Sequence, residues 1–448
     1  MESIVVITLG CAKNRVDSEH LMQQISAAGG VLRIAESLDG LPPTDVCLIN
    51  TCGFIHDAKQ ESIDSILTAV AAKQEGRIGK VYVFGCLSQR YPQELAREIP
   101  EVDGFFGAND FCDILQALGY TWQAGRAHER VLTTPAHYAY LKISEGCDRS
   151  CAYCAIPGIR GRHISQPMEA LLQEAEHLAA KGVKELLVVA QDTTYYGLDI
   201  YKERSLAPLL LRLTEVKGLE WIRLHYTYPA GFPEDVLELM AQHSKICSYL
   251  DIPLQHVSTK VLTAMRRGVD ETFTRALVAK MRAKVPDICL RTTFIVGHPG
   301  EDKRAFKQLL DFVQEARFER MGAFCYSEEE GTLAALQYKD SISAREKQER
   351  YLQLMDAQSG IAFAYNQSRI GKKERVLIDS WDEATQSWRG RSQYESPEVD
   401  GEIYLRDVGE APAWRGQFVD ACIECADAYD LQGLIYKDGD YTRPHENN

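Results

Sequence analysis

Short apolar runs alternate with longer amphipathic segments along the first third of the chain. The runs have the length of buried strands, and the segments between them have the periodicity of surface helices. The predicted strands are 4–9, 45–50 and 80–85, and the predicted helices are 18–28, 57–73 and 92–98. Strand–helix alternation indicates a parallel sheet, and the small number of units favours an open, doubly wound sheet over a barrel.

The alternation begins again near residue 138. The predicted strands are 140–143, 185–190, 221–225, 249–253, 288–296 and 322–326, and the predicted helices are 168–181, 234–243, 272–284 and 303–316. About six β/α units fit a partial, open (βα) barrel better than the eight repeats of a complete one.

A different pattern follows a long predicted helix at 343–369. The predicted strands 374–380, 401–406, 418–426 and 433–436 are short, with polar turns between them and no helical segment. This pattern is typical of a small β-barrel. Because 448 residues are also too many for one core, we predict three domains in an α/β protein, at 1–135, 136–370 and 371–448.

Composition is typical of a soluble globular protein, with 45% apolar and 25% charged residues. No run of 18 apolar residues predicts a membrane helix, and the apolar start of the chain lacks the basic segment of a signal peptide. We therefore expect a cytoplasmic protein with no membrane partner. In a reducing cytosol, 13 cysteines indicate metal ligation or burial, not disulfides.

Charge is distributed unevenly along the chain. The net charge is −14, and residues 374–448 contain 17 Asp and Glu against 7 Lys and Arg, a net charge of −10. A protein that grips nucleic acid through phosphates usually has a basic surface. The acidic C-terminal unit therefore favours a basic protein partner over RNA.

Three cysteines follow the first strand of the central unit, at Cys147, Cys151 and Cys154. Their C-x3-C-x2-C spacing places three thiolates on one loop, where they can hold three irons of a [4Fe-4S] cubane. The fourth iron is then open, and S-adenosylmethionine can chelate it through its amino and carboxylate groups for reductive cleavage. The alternative is a zinc loop with a remote histidine, although zinc sites more often use paired C-x2-C units.

Three further cysteines, Cys11, Cys52 and Cys86, each follow a predicted strand of the N-terminal unit. Carboxyl ends of parallel strands share one edge of a sheet, so these thiols can converge despite their separation in sequence. Neighbouring glycines allow close approach to a bulky ligand. We predict a second cluster with one open iron; the alternative is simple burial, which we expect for Cys47 and Cys112.

These motifs resemble the radical S-adenosylmethionine superfamily and, across nearly the whole chain, its methylthiotransferase family. Tyr153, just before the third cysteine of the loop, belongs to the superfamily motif, and the resemblance implies that it lies against the adenine. The N-terminal matches are GCAKNRVDS (10–18), NTC (50–52) and GC (85–86). The C-terminal β unit resembles the TRAM domain of the same family.

The family has branches that modify adenosine in transfer RNA and a branch that modifies an aspartate of the small-subunit ribosomal protein S-twelve. The segments that resemble the second branch are AQDTTYYG (190–197), YLDIPLQH (249–256) and FIVGHPGE (294–301). The resemblance and the acidic C-terminal unit together imply the protein substrate. A transfer-RNA adenosine methylthiotransferase is the alternative, and a cluster carrier without catalysis is a third reading.

The resemblance implies two [4Fe-4S] clusters and two uses of S-adenosylmethionine. One molecule gives a methyl group to sulfur at the N-terminal cluster. Another is cleaved at the cluster of Cys147, Cys151 and Cys154, and the radical takes hydrogen from the aspartate β-carbon, which then receives the methylthio group. An electron donor such as flavodoxin is an implied partner, and nucleic acid is not the expected substrate.

Besides Tyr153, four residues are predicted contacts of S-adenosylmethionine. Gln191, Arg223 and Gln255 lie at predicted barrel strand ends, where (βα) barrels place functional groups, although each could instead be a hydrogen-bonded structural residue. The resemblance implies that the segment 295–297, which includes Val296, passes close to the adenine. The arginine pair at 266–267 could meet acidic substrate groups or end a solvated helix.

Overall fold

The computed structural model describes residues 2–35, 37–38, 40–406 and 414–436. The first sheet contains β1 (Ser3–Thr8), β2 (Val31–Ile34), β3 (Thr44–Thr51), β4 (Ile78–Gly85) and β5 (Gly104–Phe105). All pairs are parallel, in the order β2–β1–β3–β4–β5. The accompanying helices are α1 (Ala12–Ala27), α2 (His56–Gln74), α3 (Cys86–Arg90), α4 (Pro92–Glu98) and α5 (Phe111–Ala117).

Helices cover both faces of this sheet. Val5 and Ile7 of β1 belong to the apolar layer beneath α2, whereas Ile4 and Val6 belong to the layer beneath α1. This alternation follows from the two-residue period of a strand. The predicted doubly wound sheet is therefore confirmed.

Helix α1 begins at Ala12, six residues before the start predicted from periodicity. The first turns bury polar side chains, among them Asn14, Asp17 and Ser18, so they lack the apolar stripe that identifies a surface helix. Strand β2 was not predicted, since it is a short, partly exposed edge strand. The buried polar side chains of α1 belong to the site described below.

The central unit is a six-stranded parallel sheet in the order β13–β12–β11–β10–β9–β6. Its strands are β6 (Tyr138–Lys142), β9 (Glu185–Val189), β10 (Trp221–Leu224), β11 (Ile246–Asp251), β12 (Cys289–Val296) and β13 (Arg320–Cys325), with a small hairpin-like pair β7 (Ser144–Glu145) and β8 (Ile164–Ser165). The helices are α6 (Ile156–Arg160), α7 (Met168–Ala180), α8 (Leu206–Thr214), α9 (Asp235–Gln242), α10 (Thr259–Ala264), α11 (Glu271–Lys284), α12 (Lys303–Ala316), α13 (Leu333–Gln337) and α14 (Ala344–Gln367). The edge strands β6 and β13 do not pair, so the sheet is the open, partial barrel that was predicted.

The C-terminal strands close into a barrel in the order β14–β15–β16–β18–β17. They are β14 (Lys373–Asp382), β15 (Ser387–Arg391), β16 (Ile403–Arg406), β17 (Phe418–Ala426) and β18 (Leu431–Ile435). Strand β15 was not predicted, because its sequence has no β-branched residue. No helix in the described part of the chain is long and apolar enough to cross a membrane. The domain boundaries stay a proposal; the second falls between Gln367, which ends α14, and Lys373, which begins β14.

The C-terminal barrel docks on the amino-terminal ends of the central strands. Glu185, the first residue of β9, accepts hydrogen bonds from Arg223 of β10 (2.7 Å) and from Arg391 of β15 (2.7 Å). Arg391 also donates to both carboxylate oxygens of Asp379 (2.7 and 2.9 Å), and His137 Nε2 lies 2.7 Å from the same carboxylate. A chain of buried ion pairs therefore joins the two units.

We expect this interface to weaken in acid. Burial alone would raise the pKa of Asp379, but Arg391 and His137 outweigh it and hold that pKa at about 2, below the ordinary value of 3.8. Because the pKa of this carboxylate is lower in the folded protein than in the unfolded chain, ionisation stabilises the fold by about 2 kcal/mol at pH values above the unfolded pKa. This stabilisation is lost as the pH falls from about 4 towards 2. Urea titrations should show wild type more stable than Asp379→Asn at pH 7, with the difference shrinking below pH 4. The control is Asp420→Asn, at an exposed carboxylate of the neighbouring strand β17, and an unchanged difference at low pH would refute the ion-pair account.

Candidate active site

The loop between β7 and α6 contains Cys147, Cys151 and Cys154, all free and half-buried. Its backbone is fixed by its neighbours: Cys147 N–H donates to Gly161 O (3.1 Å), and Ala152 N–H donates to Met265 O (2.9 Å). The loop is therefore a rigid holder for its three thiols.

The surroundings of this loop suit a ligand that binds thiolates. Burial is the main reason that the pKa of the Cys147 thiol is raised to about 11 and that of Cys154 to about 12, and the neighbouring Cys151 thiol contributes to both values. The three sulfurs are thus close enough to interact. Thiols with raised pKa values lose their protons when a metal or cluster replaces them.

Hydrogen-bond donors surround the same sulfurs. Arg267 donates to Cys151 Sγ (3.4 Å), the Tyr228 hydroxyl shares a hydrogen bond with it (3.5 Å), and the Arg149 amide donates to Cys147 Sγ (3.4 Å). The Tyr228 ring lies between the guanidinium groups of Arg149 and Arg267, at 4.0 and 4.1 Å from the ring centroid. Such donors stabilise thiolate and set the potential of an iron–sulfur cluster.

Arg267 is only 4% exposed, so the solvated helix end considered for the arginine pair at 266–267 is wrong for this residue. Its guanidinium also donates to Pro253 O (2.5 Å) and to the Tyr153 hydroxyl (3.3 Å). These partners come from distant parts of the sequence, so no local pattern could have identified them.

The second set, Cys11, Cys52 and Cys86, lies at the carboxyl ends of β1, β3 and β4. The three loops touch: a Cβ atom added to Gly10 would lie 2.8 Å from Cys52 Cβ, and one added to Gly53 would lie 2.8 Å from Cys86 O. Burial raises the pKa of Cys52 to about 11, with further contributions from Cys11 and Cys86. The sheet edge thus brings together three thiols that are far apart in sequence.

Arg160, the last residue of α6, connects the two cysteine sets. It follows the loop of Cys154 in sequence, yet its Nε donates to Cys86 Sγ (3.2 Å). The same guanidinium donates to Asn14 Oδ1 (2.6 Å), Asp17 Oδ2 (2.8 Å) and Glu145 Oε2 (3.0 Å). One buried side chain therefore contacts the N-terminal unit and the loop region of the central unit.

The Glu145 carboxylate of this network is ionised. Burial opposes the charge of Glu145, but Lys142 and Arg160 outweigh burial and hold its pKa well below the ordinary range. Lys142 forms ion pairs with both Asp17 and Glu145. Asp17 lies in the segment 10–18 that resembles the family. Arg160, Lys142 and Glu145 were not predicted, because their importance arises only from their tertiary contacts.

Two predicted contacts of S-adenosylmethionine have the features of a ligand site. The amide of Gln191 donates to Glu145 Oε1 (2.5 Å), and its own Oε1 is buried without a hydrogen-bond partner among the described residues. The Oε1 atom of Gln255 is buried and unpartnered in the same sense, and its backbone has a φ of +71°. Buried acceptors of this kind are available to a bound donor such as a ribose hydroxyl or an ammonium group.

One other predicted contact is corrected. The Arg223 guanidinium points to the opposite end of the barrel, where Glu185 and the carbonyls of Gln393 (2.7 Å) and Ser392 (3.3 Å) accept its hydrogen bonds. Arg223 belongs to the central unit and lies at its interface with the C-terminal unit.

The Val296 side chain is fully buried in the core between the strands and the outer helices, so it does not face the cysteine loop. Its neighbour Ile295 instead joins Tyr153 in the small apolar clusters beside that loop. Alternation along β12 accounts for the difference and could have revealed it. The adenine contacts of Tyr153 and of the segment 295–297, which includes Val296, stay predictions.

The donor sets are compatible with clusters. No three Cys, His, Asp or Glu side chains of the described residues surround the position of one metal ion. A cubane has a different requirement, because each thiolate binds its own iron at a separate corner. Two sets of three converging thiols, each with an arginine N–H on one sulfur, meet that requirement.

Comparison with known proteins covers most of the chain. Residues 141–313 match the radical SAM superfamily, residues 370–435 match the TRAM domain, and residues 3–107 match the uncharacterized protein family UPF0004. The proteins called "Ribosomal protein uS12 methylthiotransferase RimO" from Phocaeicola vulgatus and Bacteroides thetaiotaomicron are each 50% identical over 433 residues. The alignments cover 97% and 96% of this chain and 99% and 98% of those proteins. The protein of the same name from Cytophaga hutchinsonii is 48% identical, with 96% and 97% coverage.

Solved structures share the fold at low sequence identity. The radical S-adenosylmethionine methyltransferase TsrM from Kitasatospora setae, with tryptophan and an analogue of S-adenosylmethionine, gives a TM-score of 0.55 at 14% identity and covers 72% of this chain and 73% of its own. The cobalamin-dependent enzyme OxsB gives 0.52 at 13% identity, with 81% and 56% coverage. At these identities, the likeness shows the fold alone.

Proposed function

We propose a reaction for this chain, which belongs to the ribosomal protein uS12 methylthiotransferase family, RimO. The proposed reaction is the addition of a methylthio group to the β-carbon of one aspartate of uS12. The observation that carries it is the pair of three-cysteine sets that Arg160 connects, because radical formation and sulfur delivery need separate metal centres. The choice of uS12 as the substrate is supported by the names of relatives that are about 50% identical over nearly the whole chain.

Two [4Fe-4S] clusters and S-adenosylmethionine, when bound, supply the radical chemistry and the sulfur that side chains cannot provide. Cys147, Cys151 and Cys154 would hold one cluster. Cys11, Cys52 and Cys86 would hold the other.

The remaining residues of the site position these groups and limit access of water. Arg267 and Tyr228 orient Cys151, and Arg160 orients Cys86. The Oε1 atoms of Gln191 and Gln255, which have no hydrogen-bond partner among the described residues, would accept hydrogen bonds from S-adenosylmethionine. Burial of these groups strengthens each polar contact, since fewer water molecules compete for it.

The acidic C-terminal unit supports a protein substrate. Its net charge of −10 over residues 374–448 opposes binding to the phosphates of transfer RNA and suits a basic ribosomal protein. The electron donor we propose is a small redox protein such as flavodoxin, acting in the cytoplasm.

A deletion strain tests the substrate. Mass spectrometry of uS12 and of transfer RNA from this strain should show loss of the methylthio group from uS12 alone, with restoration by the wild-type gene. A strain in which uS12 keeps the mark while transfer RNA loses one would instead establish the transfer-RNA function.

A further inference from the structure

Lys13 is a buried lysine in the first turn of α1, two residues after Cys11, and is 9% exposed. Its ammonium nitrogen lies 3.6 Å from the centroid of the Tyr226 ring. No carboxylate of the described residues forms an ion pair with it. The Tyr226 hydroxyl and the Cys11 thiol lie beside the ammonium and favour its charged form. Lysines are rarely buried to this extent without a carboxylate partner, so the position suits a carboxylate supplied by a ligand.

The neighbouring carboxylates are already engaged. Asp17 and Glu145 both pair with Lys142 and with Arg160. Lys13 is also close enough to Arg160 for the two positive charges to repel each other. These five side chains have one more positive charge than negative charge, and this excess attracts a bound anion as well as the adjacent thiols of Cys11 and Cys86.

Tyr226 reaches Lys13 from the mouth of the central barrel, just beyond β10. Its φ of +55° lies in the left-handed region, which is unfavourable for tyrosine. The conformation is held because its N–H donates to Asp251 Oδ2 (3.0 Å) and its carbonyl accepts from Thr193 N–H (3.1 Å). Backbone strain of this kind concentrates at functional sites.

We propose that the Lys13 ammonium binds the side-chain carboxylate of the aspartate that is modified, an inference that rests on the proposed function. The β-carbon of aspartate is bonded directly to this carboxylate, so its anchor must lie near the point of sulfur transfer. Lys13 meets this condition: it adjoins Cys11 of one set and contacts the barrel mouth that carries the other set.

This assignment makes Lys13 a residue that discriminates aspartate from asparagine. An ammonium group gains a charge-assisted hydrogen bond to a carboxylate that a neutral amide cannot match. Loss of such a bond in a buried site weakens binding about 10- to 100-fold.

Binding measurements with the cluster-loaded protein test the inference. The probes are isolated uS12 and a uS12 variant in which the modified aspartate is replaced by asparagine, each titrated in the presence of S-adenosylmethionine without reductant. Wild type should prefer the aspartate form about 10-fold or more, and Lys13→Met should remove this preference by weakening only the aspartate form. Lys13→Arg, which keeps the positive charge, should retain part of the preference for the aspartate form. Lys80→Met, the same change at an exposed lysine of β4, should behave as wild type.

Three results would overturn the inference. An unchanged preference in Lys13→Met would show that the ammonium does not contact the aspartate. A weaker affinity for S-adenosylmethionine, with the preference retained, would assign Lys13 to the cofactor's carboxylate. A changed iron content or cluster potential with the preference retained would assign it to the Cys11 cluster. If wild type binds neither form of uS12, the proposed function itself fails.

Discussion

Cys86→Ala protein is expected to form no methylthio-uS12 while it continues to cleave S-adenosylmethionine. Cys86 belongs to the N-terminal set, and its thiol receives the hydrogen bond of Arg160. A cubane that loses one of only three protein ligands has two open irons and is not retained. The C-x3-C-x2-C loop is unchanged in this variant, so radical formation should survive.

Iron analysis and product analysis separate the two clusters. Cys86→Ala should contain about half the iron of wild type and should release 5′-deoxyadenosine without modifying uS12. Cys147→Ala should also contain about half the iron but should release no 5′-deoxyadenosine. Cys112 belongs to the same N-terminal unit and is exposed, so the burial expected for it was wrong, whereas Cys47 is buried as expected. Cys112→Ala is the matched control and should retain both activities. Methylthio product from Cys86→Ala or Cys11→Ala would show that the N-terminal cluster is not needed to deliver the sulfur.

Arg160→Gln is expected to destabilise the protein by about 3–5 kcal/mol, the usual effect of removing one partner of a buried ion pair. Asp17 and Glu145 would then share only Lys142. The same change removes the N–H donor to Cys86 Sγ. Since such donors stabilise the reduced form of a cluster, the potential of the N-terminal cluster should fall.

Two measurements check this result. Urea unfolding of the protein gives the change in stability, and spectroelectrochemical titration of Cys147→Ala protein with and without Arg160→Gln gives the potential of the N-terminal cluster alone. Arg162→Gln is the control, because Arg162 lies two residues away and its side chain is 88% exposed. A normal potential in the Arg160 variant would mean that this side chain only stabilises the fold.

The cysteine sets could be predicted from the sequence because each depends on a short-range rule. One set lies within eight residues of a single loop, and the other lies at strand ends that a parallel sheet must bring to one edge. The alternation of strands and helices likewise identified both parallel sheets.

Long-range contacts could not be predicted in this way. Arg160 and Asp17 are 143 residues apart, and neither has a local pattern that identifies the other. The role of Arg223 depends on how the C-terminal barrel docks, which periodicity within one unit does not determine. Lys13 was missed for a related reason: polar residues on the buried face of α1 hide the helix start from a search for apolar periodicity.

The most direct test of the two-cluster account uses S-adenosylmethionine with a fully deuterated methyl group. Reconstituted protein, reductant and isolated uS12 are incubated, and the uS12 peptides are analysed by mass spectrometry together with 5′-deoxyadenosine. The account predicts one modified aspartate, in which a methylthio group that contains all three methyl deuterium atoms replaces one of the two β-hydrogens. Formation of 5′-deoxyadenosine with unmodified uS12, and deuterated methylthio groups in added transfer RNA, would contradict it.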